Sequence, residues 1–185
     1  MFLRLKATLK ALRGHSDLGY LRTTGLTHGN RFYVGADVLI DSGHRHLITI
    51  GDDVTISDRV HILAHDASTK QALGFTRIAR VTIGSRVFIG AGAIILAGVT
   101  IGDDVIIGAG SLVTKDIPTG AIAYGGPATV HGETATFLQR RQAEMNDSPM
   151  WHTPEWIAGC GLTPDRANQM RASLTDSPTG FGYLI

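Results

Sequence analysis

An all-β solenoid is the fold class this sequence predicts, and three observations predict it. Read from Ile83, every sixth residue is aliphatic: Ile83, Ile89, Ile95, Ile101, Ile107 and Val113. Four residues after each comes a second apolar or small residue: Val87, Ala93, Val99, Val105, Ser111 and Ile117. Between them the pair Ile-Gly recurs, at 83–84, 89–90, 101–102 and 107–108. Neither a helix period of 3.6 nor a strand period of 2 gives this pattern. A fixed short period means short strands, glycine-aided corners and a core stacked in columns, each turn burying its apolar side on the next.

The same phase runs upstream. Ile50 to Val54 and Ile56 to Val60 are two more units, Ile62 starts a third, and Val34 to Val38 with Ile40 form an earlier stretch. The phase slips by four residues between Ile40 and Ile50, and by three between Ile62 and Ile83. The second slip marks a segment from about 66 to 80 that breaks the rule. A repeat fold tolerates an insertion only where it loops out of the stack, and such loops gather on one face, often the binding face. The break opens with His65-Asp66, which places the expected chemistry there.

Composition sets the outer bounds. The 185 residues suit one solenoid domain with flanks, and 43% hydrophobic residues allow a real core. A net charge of +1 implies no bulk attraction to nucleic acid. Cys160 is the single cysteine, which excludes an intrachain disulfide framework. No apolar run approaches the roughly 18 residues of a membrane span, and residues 1–13 lack the apolar stretch of a signal peptide. A cytoplasmic location is the expectation.

The flanks read differently from the middle. Leu5, Leu9 and Leu12 lie on one helical stripe, so residues 1–20 are expected to form a short helix. It would pack on the solenoid or a neighbouring subunit, or make weak contact with an anionic membrane surface through its basic residues. The repeat domain is expected over 21–130 and a helical extension over 131–185. In that extension Thr163-Pro164-Asp165 supplies a cap, an N1 proline and a first-turn acid, and Thr153-Pro154-Glu155 repeats the device.

The stretch from Val81 to Pro118, with Tyr124-Gly125-Gly126-Pro127-Ala128 after it, resembles the hexapeptide-repeat acyltransferases. It is most similar to their galactoside, maltose, nodulation-factor and polysaccharide acetyltransferases. The segment from His61 to Ser68 is similar to the polysaccharide members. The resemblance covers roughly residues 30–130. It implies a left-handed parallel β-helix; the hand comes from the resemblance alone, because parallel crossovers are normally right-handed. It also implies a homotrimer that moves an acetyl group from acetyl-CoA to a carbohydrate or other small acceptor at a site between subunits.

His65 stands at the position of the family's general base. An imidazole titrates near neutrality, accepts a hydroxyl proton and returns it to a leaving thiolate, so no acyl-enzyme is needed. Asp66 could orient a neighbour or the acceptor. Phe88 matches an aromatic over the acceptor or pantetheine arm. Gly90-Ala91 and Gly108-Ala109 are expected to let that arm lie flat on two stacked coils. Thr114-Lys115 matches the family's contact with the nucleotide end of CoA. The family's early polar residue aligns loosely with Gly35, which makes Asp37 the nearest substitute. Basic residues that follow the proline turn in relatives are replaced by Thr129, His131 and Gly132, which leaves Arg140 or Arg141 for the phosphates. Outer-face residues Ala93, Ile94, Ala97 and Leu112 are expected to be hidden in the trimer. His44 and His46 would share a strand face, and His61 and His65 are four apart. The zinc-binding β-helix relatives, the gamma-type carbonic anhydrases, place their second and third histidine ligands in later coils; no histidine occurs here between 66 and 130, so no catalytic metal is expected. A β-helix that has lost catalysis and serves as a partner-binding scaffold is the alternative.

Overall fold

The computed structural model describes residue 23, residues 25–177 and residues 179–182. The helix expected over 1–20 lies outside the described residues. The chain divides into two compact units, Met1–Thr134 and Ala135–Ile185.

The first unit is four coils of three short strands each. They are β1 (Thr27–His28), β2 (Tyr33–Val34) and β3 (Leu39–Ile40); β4 (Ile48–Ile50), β5 (Thr55–Ile56) and β6 (His61–Ile62); β9 (Val81–Ile83), β10 (Phe88–Ile89) and β11 (Ile94–Ile95); and β12 (Thr100–Ile101), β13 (Ile106–Ile107) and β14 (Leu112–Val113). The first strand of every coil joins sheet 1, the second sheet 2 and the third sheet 3, all in parallel register. Sheet 2 continues into β15 (Ala121–Gly125), which turns back antiparallel as β16 (Ala128–Glu133). This strand carries the repeat unit past the boundary expected at 130.

Register explains the slips in phase. Phe88 pairs with Ile106, 18 residues on, which is three hexapeptides. Tyr33 pairs with Thr55 at a spacing of 22, and Thr55 with Phe88 at 33. The first coil therefore carries 4 extra residues and the second 15. Both insertions leave the stack at the same corner, between sheet 3 and sheet 1. The first forms a turn and a short 3-10 helix, Arg45–Leu47. The second forms β7 (His65–Asp66), α1 (Lys70–Leu73) and β8 (Arg77–Ile78), with β7 and β8 paired antiparallel.

Both apolar columns seen in the sequence are core. Ile83, Ile89, Ile95, Ile101, Ile107 and Val113 are buried, and so are Val87, Ala93, Val99, Val105, Ser111 and Ile117. Each buried aliphatic side chain contributes about 1.5–3 kcal/mol. Ala93 and Ala97, expected on the outside, are buried; Ile94 and Leu112 do face outward from sheet 3. Alternation along a two-residue strand forces this: one side chain points in and the next out. The outward columns differ in kind. Sheet 1 shows Thr27, Thr49, Thr82 and Thr100; sheet 2 shows Tyr33, Thr55, Phe88, Ile106 and Ile122; sheet 3 shows Leu39, His61, Ile94 and Leu112.

The corners are not turned by the Ile-Gly glycines. A Cβ on Gly90 would lie 2.5 Å from the backbone nitrogen of Ala109, so that glycine permits coil-on-coil approach. The left-handed backbone falls two residues later, at Asp53, Arg59, Arg86, Gly92 and Asp104, with φ of 58°, 58°, 56°, 70° and 57°. At the corner between sheets 1 and 2, Arg31 pairs with Asp53 and Arg86 with Asp104, so charge pairing accompanies the strained residues.

The second unit holds α2 (Thr134–Asn146, its first residue in the repeat unit), a 3-10 turn at Pro154–Trp156, and α3 (Pro164–Asp176). Thr163 caps α3 by accepting the Arg166 N–H at 3.2 Å. Met150–Trp151 pairs in parallel with Phe181–Gly182, an extended element within a tail expected to be helical. Among the described residues no helix is long and apolar enough to cross a membrane.

Gly90→Ala should lower the unfolding free energy by about 1–3 kcal/mol through overpacking against backbone. Gly92→Asp, with open space around it and aspartate already at the equivalent corners, should cost about 1 kcal/mol or less. Urea unfolding of both variants checks this; equal losses would refute the assignment of the close contact to position 90.

Candidate active site

The two insertions converge because they share a corner. Asp41 opens the first directly after β3, and His65 opens the second directly after the turn that ends β6. The Asp41 side chain is fully buried. One oxygen, Oδ1, accepts the backbone N–H groups of Gly43 at 3.0 Å and His44 at 2.9 Å. The other, Oδ2, accepts the N–H of Ala64 at 2.9 Å and stands 2.5 Å from Nδ1 of His65. Buried Arg45 donates from Nε to the Asp41 carbonyl at 3.1 Å and closes the turn from behind.

Burial alone would raise the Asp41 pKa. The His65 bond and the three backbone donors outweigh it and hold the pKa at about 2, below the ordinary 3.8. At neutral pH the group is an ionised carboxylate and can only accept hydrogen bonds. Nδ1 of His65 must therefore carry the proton of this contact, and Nε2 keeps its lone pair. His65 is about a third exposed, and the ring is held at Nδ1 by the Asp41 carboxylate.

His65 lies on a groove of about 510 Å³ shared with Leu63, Asp66, Arg77, Leu96, Ala97 and Thr114 among its walls. These residues come from successive coils at the one corner between sheets 3 and 1. Arg77, on β8, donates from Nη1 to the Ala97 carbonyl at 3.0 Å, which lays its guanidinium along the groove. Asp66 is exposed and accepts the Ser68 N–H at 2.8 Å; it does not contact His65 by hydrogen bond but shares the groove wall.

The residues expected from sequence thus divide by corner. His65, Asp66 and Thr114 come together, and Lys115 is exposed beside Thr114. Asp37, Gly90, Ala91, Gly108 and Ala109 lie at the other end of sheet 3, at the corner with sheet 2, and Phe88 projects from sheet 2. Within one chain none of these six reaches the His65 groove. The stacking of Gly90-Ala91 on Gly108-Ala109 is real, with the Gly110 N–H bonding the Ala91 carbonyl at 2.8 Å, but it is coil meeting coil. Asp41, and not Asp37, is the early-coil carboxylate that contacts His65 in this chain. Asp41 and Arg77 were missed by sequence reasoning, and a signal existed for the first; His44 was considered only with His46, on a shared strand face, and not with Asp41 and His65. Asp41 directly follows the last regular isoleucine before a phase slip, as His65 follows soon after Ile62.

His44 adds a third ionisable group. Its ring centroid is 5.2 Å from that of His65, and its Nδ1 is 3.8 Å from Asp41 Oδ1. That nitrogen is buried and has no hydrogen-bond partner. Asp41, His44 and His65 each offer a ligand atom within 4.8 Å of the others. Expectations based on spacing along one strand could not assemble this set, because it spans two coils.

Comparison with known proteins shows the family. A family profile for the bacterial transferase hexapeptide (six repeats) matches residues 80–115. Protein CapG of Staphylococcus aureus is 38% identical over 128 residues, which are 66% of this chain and 74% of CapG. The chain belongs to the hexapeptide-repeat transferases. Nodulation protein L of Rhizobium meliloti (strain 1021) is 48% identical over 122 residues, 64% of this chain and 63% of that protein. Among solved structures, a galactoside acetyltransferase in complex with coenzyme A superposes with a TM-score of 0.55 at 30% identity, covering 71% of this transferase and 80% of that chain. This hexapeptide-repeat transferase is an acetyltransferase of that branch.

The Asp41 carboxylate contributes stability that is fully present above about pH 4 and is lost as pH falls through about 2, because its folded pKa is depressed. In Asp41→Asn the amide NH2 faces a backbone N–H donor whichever way it turns, those of Gly43 and His44 or that of Ala64. At pH 7 this should cost about 2–5 kcal/mol. Urea unfolding at pH 7 and pH 3 should show the gap from wild type narrowing with acid; a constant gap would mean that Asp41 is not ionised in the fold.

Proposed function

We propose that this acetyltransferase moves the acetyl group of acetyl-CoA to a hydroxyl of a sugar or polysaccharide, with His65 as general base. The observation that carries this reading is the buried Asp41 carboxylate at 2.5 Å from Nδ1 of a half-exposed His65. Nε2, facing the groove, takes the acceptor's hydroxyl proton as the oxygen attacks the thioester carbonyl. The tetrahedral intermediate collapses with cleavage of the C–S bond, and the imidazolium returns the proton to the thiolate. Asp41 fixes the tautomer and stabilises the imidazolium between the two steps. Non-catalytic scaffolding gives no reason for a buried carboxylate aimed at an open histidine.

The groove gives the acyl donor a place. Leu96, Ala97 and Thr114 line the groove with His65 and give it surface suited to a pantetheine arm, and exposed Lys115, next to Thr114 in sequence, would meet a phosphate. This reading moves the cofactor contacts from Gly90, Ala91, Gly108 and Ala109 to the corner that holds the base. The structure of galactoside acetyltransferase with coenzyme A supports acetyl-CoA as the donor and a sugar as the acceptor class. The family resemblance implies a left-handed coil and a homotrimer. Its contacts would use sheets 2 and 3, whose outward columns are aromatic and aliphatic, and leave the threonine column of sheet 1 to solvent. Packing sheet 2 of one copy on sheet 3 of the next carries Phe88 toward the side on which the neighbour's base stands.

The direct test is thiol release from acetyl-CoA by the full chain against a panel of nucleotide sugars and oligosaccharides. His65→Ala should lose about a hundredfold to ten-thousandfold in turnover with acetyl-CoA affinity retained. His61→Ala, outward on sheet 3 and away from the groove, should lose little. Equal losses in the two variants, or no turnover with any acceptor, would sink the reading. Exposed Lys115 makes a weaker prediction. Lys115→Ala should weaken acetyl-CoA binding by about 1 kcal/mol at low ionic strength and by less in high salt. Calorimetry that finds no change at low salt removes Lys115 from the site.

A further inference from the structure

We infer that Asp41, His44 and His65 form a binding site for a divalent transition-metal ion of the zinc class, and that metal bound there silences the base. The silencing half rests on the reading of His65 as the base; the site itself does not.

The donor set comes first. One carboxylate and two imidazoles suit zinc, cobalt, nickel or copper ions, and not magnesium or calcium, which prefer sets made of oxygen alone. The three groups offer ligand atoms within 4.8 Å of one another. Zinc with ligands at about 2.0–2.1 Å holds its tetrahedral donors about 3.3 Å apart. The separations here straddle that value: 2.5 Å from Asp41 Oδ2 to His65 Nδ1, and 3.8 Å from Asp41 Oδ1 to His44 Nδ1. Small side-chain rotations of the two histidines would bring both pairs into range. Asp41 need not move; its backbone bonds from Gly43, His44 and Ala64 fix it as the rigid ligand.

The second observation is the orphaned nitrogen. His44 Nδ1 is buried without a hydrogen-bond partner, a costly arrangement for a polar atom. A proton on it finds no acceptor within bonding distance, since Asp41 Oδ1 is 3.8 Å away. A lone pair on it finds no donor. A cation between His44 and Asp41 satisfies that lone pair and a carboxylate oxygen together. About a third of each imidazole side chain is exposed, so both rings reach the surface beside the buried carboxylate.

The consequence for His65 follows from proton placement. In the metal-free site Nδ1 carries the hydrogen and Nε2 the lone pair. Metal binding forms a bond to the Nδ1 lone pair, so the single proton of the neutral ring must sit on Nε2. Protons are conserved, nothing is oxidised, and the lone pair that would accept the acceptor's proton is gone. A metal here is an off-switch set on the same carboxylate that orients the base.

The test uses the full chain, stripped with EDTA, with Co²⁺ as a visible reporter and Zn²⁺ as the inhibitor. Co²⁺ should bind once per chain with the visible absorption of a low-coordinate site. Affinity should fall by about a hundredfold or more in His44→Ala, beyond what loss of an outer-shell partner does. His65→Ala should lose the site as well, which guards against misfolding of one variant; circular dichroism checks both. His46→Ala, exposed with its ring 6.1 Å from His44, should keep it. Zn²⁺ should stop thiol release in the wild type, and EDTA should restore it. Unchanged Co²⁺ affinity in His44→Ala overturns the site. Bound Co²⁺ with turnover indifferent to Zn²⁺ overturns the switch. Failure of Co²⁺ to bind the stripped chain, with turnover that depends on His65, overturns this inference and leaves the proposed function standing. Absence of turnover with every acceptor sinks the proposed function, while the site still stands on the cobalt spectrum and its loss in the two variants.

Discussion

Every coil must return to the same three places. The parallel register between coils allows no gradual drift, because a strand shifted by one residue would turn its core side chain outward. Extra residues can therefore leave only between strands. In this chain they do so twice, and at one corner. The 4-residue and 15-residue insertions are separated by 24 positions between Asp41 and His65, yet register lays them on adjacent coils. The site is thus a product of stacking: neither insertion contains it, and only their superposition does.

Asp41 carries an unusual share of this arrangement. A buried charge is costly unless it is paired and bonded on all sides. Four donors meet its two oxygens, three from backbone and one from His65. The backbone donors belong to both insertions, so the carboxylate ties the short turn to the start of the long one. The fourth bond leaves His65 one free nitrogen. Local stability and the reactive state of the imidazole depend on the same ionised group. Buried Arg45, bonding the Asp41 carbonyl from behind, keeps the turn that presents it.

Much of this was legible before the structure. The isoleucine columns gave the coils, because period six leaves no other way to bury every sixth residue. His65 stood out because the period breaks there. Three things were hidden. Asp41 looked like an ordinary polar residue after Ile40; it becomes visible only when coils of 18 are counted and both slips fall at the same corner. His44 joins Asp41 and His65 through a turn whose path no periodicity describes. The sequence did not show what approaches the glycines at 90 and 108: a Cβ there would meet the next coil's backbone, or Tyr124 in the case of Gly108. Sequence spacing reports that a residue must be small, and does not report what approaches it. The antiparallel return of Ala128–Glu133 was also missed, since a hairpin after the last coil obeys no repeat.

The long insertion has a narrow neck. His65 pairs with Ile78 and Asp66 with Arg77, and the Ala79 N–H bonds the Ala64 carbonyl at 3.0 Å. Everything from Ala67 to Thr76 hangs beyond that clasp and contributes no buried hydrophobic residue to the core. The segment is a cassette. Its length and chemistry can change over generations without disturbing a single coil, while the clasp keeps the histidine in place. A lineage built this way can vary that segment freely and leave His65 where the coils hold it.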